Sequence, residues 1–586
     1  MKLLNNTIFN HFYRDERDEI TPDHDPEKCM ETPKQSDNAG DPNDPELQFG
    51  IKKVEAIATI WSRKELYGVY LWIWLIYCVL ALQNQSAFSL LPYAYSAFNS
   101  HSLISTSAVI ASIVGGVLHL PVGKVIDIWG RAEGFVIFAF FIVFGLVLLA
   151  ATESVATYAA AYVFYQVGYT GAGYIMGVFV ADTTTLRSRG LVYAYTSSPY
   201  LLTTFLSPKL AQAWLDHVTW QWGFGAFCII LPFVLGPFAA ILFIKQNEAT
   251  KTGLLKKSDS RRALVESLHY YAIEFDVIGM LILMTGCVLF LLPFNLVGSL
   301  SQSWQRSDII AMIVVGLFLL IFFPFYEKFW APKSFIPWTL LCDRTILGCC
   351  LTIGSVFFGY YSWDLYFSSF LQVVFDLDVA RAGYVGNIYN IGSAFWSLLV
   401  GYLIRRTNRY KWLALLFVPV QLLGAGLMIY FRQPWQSIGY LVMCQIFIAF
   451  AGGTLVVCHE IAALAVGSHA DVSMILALLY LASAIGGAMG GSVSGAIWQN
   501  TFPKVLYDAL PEDLKGEAAN IVYSLPTQLS YKMGSPGRHA IVYAYGVVQQ
   551  RMCIAATAMA GLTFVSVWMW RDARLDGKKQ VKGTVL

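Results

Sequence analysis

The sequence predicts an all-α membrane protein of about fourteen spans, and three observations predict it. Of 586 residues, 56% are hydrophobic and only 13% charged, with a mean hydropathy of +0.54. That little charge cannot coat a water-soluble body of this size, so lipid is the solvent for most of the chain. The charges gather in short clusters between long uncharged runs. The basic clusters fall on alternate connections, as they do when the count of crossings is right.

Residues 1–60 hold acidic stretches such as "RDERDE" and "DPNDPE", several prolines and no apolar signal core, and read as a disordered cytoplasmic tail. A span needs about twenty apolar residues to cross roughly 30 Å of hydrocarbon. Runs at 67–91, 104–123, 134–152, 156–181, 191–213 and 221–244 make an N-terminal six-helix bundle within 61–244. A polar cytoplasmic linker, 245–276, follows. Runs at 277–297 and 308–326 are two inserted helices. Runs at 345–373, 382–403, 411–431, 437–464, 471–498 and 552–570 make a C-terminal six-helix bundle within 345–570, and 571–586 is a second cytoplasmic tail. One outer segment, 499–550, is far longer than the other connections; its prolines and tyrosines suggest an ordered lid.

Sidedness follows from the basic residues. Lys124 and Arg131, Arg187 and Arg189, the group from Lys245 to Arg262, Lys328 with Lys333 and Arg344, and Arg405 to Lys411 all fall on connections of one parity. The other parity offers only Arg306, Arg381 and Arg432 in its short loops. Both chain ends therefore lie on the cytoplasmic side.

Composition also excludes functions. Net charge is +2, with no basic face to neutralise a phosphate backbone, so nucleic acid is not a partner. Eight of the ten cysteines sit in apolar runs and make no disulfide framework. The histidines are scattered, no cluster has metal-ligand spacing, and there is neither a nucleotide-binding "GxxxxGK" loop nor a paired nucleophile and base. The chain is read as no enzyme, with no metal site and no cofactor. Transport must then draw on a gradient, and proton symport is the simplest form open to a carboxylate in a cavity.

Between the second and third runs stands "GKVIDIWGR", with Gly123, Asp127, Gly130 and Arg131. Glycines allow a tight turn at a helix end, and a carboxylate and a guanidinium can pair across two helix ends only while that face is closed. The stretch "GYLIRRTNR" places Gly401, Arg405 and Arg409 at an offset of 278 residues, and the same offset carries Asp182 onto Glu460. The chain thus reads as two parallel copies of a six-helix unit that frame a cavity. Asp182 and Glu460, near the inner surface, are expected to pair with arginines in an inner gate.

Ionisable and polar residues inside spans are functional candidates by default. Asp364 is the deepest carboxylate and shares a helical stripe with Tyr361, Ser368 and Gln372; it is the candidate for proton coupling, against the alternative of a structural pair. Gln83, Asn84, Gln166, Tyr169, Tyr174, Asn387, Tyr389 and Asn390 are candidates to line the cavity, each of which could instead be packing glue between helices.

The nine-residue motif resembles the signature of the major facilitator superfamily. Nearly all of 60–575 resembles the fungal siderophore-iron transporters, its fourteen-span branch, through "YGVYLWIWLIYCVLALQNQSAFSLLPYAYSAF", "LPVGKVIDIWGRAEGF", "ADTTTLRSRGLVYAYTSSP" and the tyrosine-bearing outer segment. The resemblance implies proton-coupled uptake of a ferric siderophore, hydroxamate type first, by a monomer in the plasma membrane or in endosomal vesicles. Iron would travel inside its chelate. It also implies a gate on Gly123, Asp127, Gly130 and Arg131 and an outer lid that contains Tyr545. Fourteen-span drug exporters carry "GPxxGG" in the fifth span, where this chain has "LSPKLAQA", and an arginine where it has Phe164. Export of drugs or of a small peptide such as glutathione stays open as the alternative reading, with a nutrient sensor behind it.

Overall fold

The computed structural model describes residues 59–98, 100–252, 264–296, 305–332, 338–467 and 471–575, all within one compact unit. Residues 1–58 of the first tail, 253–263 of the linker 245–276 and 576–586 of the second tail fall outside the described residues, as does the side chain of Asp127.

The helices used below are α1 (Arg63–Ala97), α2 (Ile104–Ile128), α3 (Arg131–Ala150), α4 (Val155–Thr183), α5 (Leu186–Ser197), α6 (Tyr200–His217), α7 (Trp222–Lys251), α8 (Leu264–Glu274), α9 (Val277–Leu291) and α10 (Ser307–Phe329). They continue with α11 (Arg344–Asp364), α12 (Phe367–Phe375), α13 (Val379–Gly386), α14 (Ile388–Thr407), α15 (Lys411–Phe431), α16 (Ile438–Leu464), α17 (Val472–Ala509), α18 (Ala518–Tyr523), α19 (Leu525–Ser530) and α20 (Pro536–Trp568). Among the described residues, ten helical segments are long and apolar enough to cross a membrane. The other four predicted runs are helical too, as α4, α5 with α6, the shorter α9, and α13 with α14.

Local chemistry fixes the boundaries. Ser62 and Glu65 form a capping box at the start of α1, Ser154 and Thr157 do the same for α4, and Asp343 accepts from two amides at the start of α11. Ser535 with Pro536 opens α20. Pro199 splits the fifth run, since its ring leaves no amide to continue the ladder. The ninth run breaks after Asp364 and the tenth at Asn387. Irregular backbone at membrane depth is tolerated where it lines a cavity, and both break residues do so here.

Large apolar side chains point outward on the lipid side: Phe140 and Phe144 on α3, Ile229 and Phe233 on α7, and Val314, Phe318, Ile321 and Phe325 on α10. In water such patches would drive association; in a bilayer they are the solvated surface.

The repeat shows in the order and bounds of the first four helices of each half. Shifted by 278 residues, α1 to α4 fall in turn on α11 with α12, α13 with α14, α15 and α16. The two halves meet along α2 with α17 and along α5 and α6 with α13 and α14. Those contacts are backbone-close. A Cβ added at Gly116 would lie 2.2 Å from that of Ala484, and one at Gly401 would lie 2.8 Å from the Leu191 Cα. The inserted helices α9 and α10 pack on each other, and α9 with Pro293–Leu296 straddles the α2–α17 seam: α9 lies on α2, and Pro293–Leu296 lies on α17.

The outer segment differs from its expected length. Helix α17 runs on to Ala509 and α20 begins at Pro536, so the connection is 510–535, itself wound into short turns around α18 and α19. Tyr545, expected in a lid, is fully buried in α20. It packs on Trp498 and Phe502, with ring centroids at 5.2 and 5.0 Å, and donates to Gln528 Oε1 at 2.8 Å.

Candidate functional site: a cavity between the halves

A cavity of about 610 Å³ lies between the two halves, lined from α1, α2, α4, α5 and α6 on one side and from α11, α12, α13, α14, α16 and α17 on the other. Contacts between the halves pinch it at both ends. On the side of the basic loops, Tyr174 donates to the carbonyl of Ser473 at 2.5 Å. His119 stacks on Tyr480 with centroids 5.1 Å apart, and Arg187 Nε donates to the Arg405 carbonyl at 2.9 Å. At the opposite end, His101 Nε2 and Ser369 Oγ lie 2.9 Å apart, the Leu525 amide donates to Ser96 Oγ at 3.0 Å, and Pro208 abuts Gly383.

Of the candidates read from sequence, Asn84, Gln166, Tyr169, Tyr174, Tyr361, Asp364, Asn387, Tyr389 and Asn390 all line the cavity. Gln83 does not: it is fully buried behind the lining, where it accepts from the hydroxyl of the lining residue Tyr165, and Gln85 lines the cavity. Tyr545 is likewise remote, packed under the outer connection. Among the lining residues are thirteen tyrosines and two carboxylates, Asp364 and Glu460, and no lysine or arginine. An apolar-walled space with convergent polar groups of this size suits a drug-sized organic ligand.

The gate residues divide. Arg131 Nε meets Asp182 Oδ2 at 3.2 Å with both side chains almost fully buried, and Arg131 Nη1 donates to the Ile126 carbonyl at 2.8 Å. Gly130, at φ 119°, makes the turn that presents Arg131, a conformation glycine reaches without strain. Gly123 lies against the Tyr174 hydroxyl, which a Cβ would approach to 2.9 Å. In the second copy the expected arrangement fails. Glu460 lines the cavity and has no ion pair among the described residues. Arg409, which corresponds to Arg131, meets Asp572 at 3.2 Å instead, and Arg405 contributes its backbone carbonyl rather than its charge.

The outer connection is moored by one side chain. Arg538, 1% exposed, donates to the carbonyls of Val373 at 3.0 Å and Gln528 at 2.8 Å. It also reaches Asp376 Oδ1 at 3.4 Å. Nearby, Tyr531 donates to Glu517 Oε2 at 2.6 Å, and burial first, then that carboxylate, push its phenol up to about 12.

Sequence reasoning missed Gln85, Tyr360, Tyr480 and His119 on the lining, and placed Arg432 in an outer loop although none of its surface is exposed. Helical phase shows only that Gln83 and Gln85 are alternatives. Gln83 and Gln85 lie about 200° apart around the axis at 3.6 residues per turn, so both cannot face one cavity.

Comparison with known proteins gives a consistent result. The model of the Major Facilitator Superfamily matches residues 73–491. The chain is 46% identical over 542 residues to "MFS siderochrome iron transporter 1" of Ajellomyces capsulatus, covering 92% of each chain. It is 42% identical to "MFS siderochrome iron transporter D" of Aspergillus fumigatus, covering 97% of this chain and 96% of the other. Among solved structures, a bacterial homolog of the human lysosomal transporter Spinster, inward-facing and occupied, aligns with a TM-score of 0.52 at 14% identity over 86% of this chain and 97% of that one.

Proposed function

The chain belongs to the fungal siderophore-iron transporter family of the Major Facilitator Superfamily, and on that premise we propose that it takes up ferric siderophores together with protons by alternating access. The observation that carries this reading is the charge of the cavity: two carboxylates, many phenols and amides, and no cationic side chain among the described lining residues.

A tris-hydroxamate complex of Fe(III) is neutral, because three anionic hydroxamates balance the metal, whereas a tris-catecholate is trianionic. Placing the trianion beside Asp364 and Glu460 sets like charges together in a low-dielectric space, which disfavours it. Amides and phenols can donate to hydroxamate oxygens, and tyrosine faces can cover the apolar rim of the complex. The family names of the relatives, which specify siderochrome iron, support the same cargo.

Proton coupling is assigned to Asp364. It lies in the cavity at the break between α11 and α12, with Tyr360 in hydrogen-bonding reach and its Oδ2 without a hydrogen-bond partner among the described residues. Asp364 would take a proton when the cavity opens outward and release it inward, so that the gradient drives accumulation. Residence in the plasma membrane or endosomes and a monomeric state complete the proposal.

The test is uptake of radiolabelled iron complexes by a fungus that lacks its own carriers. A neutral ferric hydroxamate should accumulate and a ferric catecholate should not. Accumulation should collapse when the pH gradient is discharged. Uptake of neither complex removes the reading, and altered drug tolerance without uptake favours export.

A further inference from the structure

Arg432 follows the last residue of α15, a place from which a long side chain could reach water, yet it is wholly buried. Its guanidinium is enclosed by the rings of Trp363, Phe367 and Phe370, with Cζ 4.9, 4.0 and 5.5 Å from their centroids. Nη2 donates to the carbonyl of Trp363 at 3.0 Å. Nε and Nη1 make no hydrogen bond to a nitrogen or oxygen among the described residues, and the Cys553 thiol faces the guanidinium. A cation at this depth is costly and persists where an opposite charge answers it.

The residue after Trp363 is Asp364, so the bond to the Trp363 carbonyl sets the guanidinium one residue from that carboxylate, whose Oδ2 has no hydrogen-bond partner among the described residues. Arg432 is absent from the cavity lining, whereas Asp364 is on it. We propose that Arg432 is the fixed counter-charge of Asp364, a positioning residue that cargo cannot touch and that sets the proton affinity of the cavity carboxylate.

Three aromatic faces and one backbone bond hold the guanidinium still. Trp363, Phe367 and Phe370 flank the helix break at 365–366, so the guanidinium is anchored to the same turn that carries Asp364. Its charge offsets that of the ionised carboxylate, which favours the ionised form and so sets how readily Asp364 takes a proton. The other titratable groups near the pair are Tyr360 and Tyr361 on α11, Tyr389 on α14, and Cys553 on α20 with Cys444 beside it on α16. From α17, Gly487 lies against Tyr361 and brings no titratable group there.

The inference rests on the assignment of Asp364 to proton coupling, and the experiment separates the two. Uptake of a ferric hydroxamate is measured against external pH in wild type, Asp364→Asn, Arg432→Lys, Arg432→Gln and the double variant Asp364→Asn/Arg432→Gln, with membrane abundance measured for each. Arg432→Gln should raise the pH of half-maximal uptake by about one unit, the scale of losing a neighbouring opposite charge. Arg432→Lys should keep the wild-type midpoint, and in the Asp364→Asn background Arg432→Gln should shift nothing.

An unshifted midpoint in Arg432→Gln, with Asp364→Asn insensitive to pH, overturns the role of Arg432 alone. A wild-type pH profile in Asp364→Asn overturns the coupling assignment itself. If Arg432→Gln fails to reach the membrane, the double variant decides: restored abundance shows that the lone carboxylate was the fault, and continued absence refutes the pairing.

Discussion

Asp182 and Glu460 occupy the same place in the two copies of the repeat, yet only Asp182 is held by an arginine. The partner that symmetry would give Glu460 is Arg409, and Arg409 is engaged with Asp572. One copy has kept a lock, and the other has turned its carboxylate into the cavity.

Removing the lock should destabilise the closed inner face. Asp182→Ala strands the almost fully buried Arg131 and should cost about 3–5 kcal/mol, as breaking a buried ion pair does. Thermal unfolding in detergent and thiol labelling of cysteines placed at the inner end of α4 measure the loss. Unchanged melting and labelling would contradict the assignment of this pair to the gate.

Glu460→Gln should behave differently, since no salt bridge is lost. We expect normal abundance and unchanged melting, with accumulation of the ferric complex reduced about tenfold, within the usual range of coupling free energies between two ligands. Transport by vesicles with an imposed pH gradient is the readout. Full accumulation would return Glu460 to a purely structural role.

Gly401 allows α14 to lie on the backbone of Gly190 and Leu191. Gly401→Val forces that contact apart at a cost of about 1–3 kcal/mol, typical of overpacking, and should bias the halves toward an inward opening. Labelling at the inner face should rise while binding of the ferric complex persists. A variant that closes as the wild type does would show that the seam yields without penalty.

Arg538→Ala removes the side chain that moors the connection 510–535 to α12. Each lost bond to a charged donor contributes about 1.5–3 kcal/mol, so the connection should loosen locally while the spans stay folded. Limited proteolysis from the outer side should cut within 510–535 in the variant and not in the wild type. Equal resistance would mean that Tyr545 and Gln528 hold the connection by themselves.

The fourteen runs and the 278-residue offset could be read from the chain because hydropathy and spacing are local properties, and neither needs a partner to be seen. Nine of the ten polar candidates inside the spans, Asp364 included, were found for the same reason: a polar side chain at membrane depth has few places to go other than a cavity. What failed was what depends on neighbours. The rotation of α1, which puts Gln85 rather than Gln83 on the wall, is set by packing against α6 and α7. Helix α17 outruns its apolar stretch because Asn500, Lys504 and Asp508 end the hydropathy signal without ending the hydrogen-bond ladder. Arg432 read as a loop charge, since nothing near it in sequence announces the three rings that enclose it.

The bridge that α9 and Pro293–Leu296 lay across the α2–α17 seam makes the two seams unequal. A door stile fixed across one joint lets the panels swing only about that edge, and the opposite joint, along α5 and α6 with α13 and α14, becomes the one that parts widest. Cargo should then enter and leave off-centre, on the side away from the inserted helices.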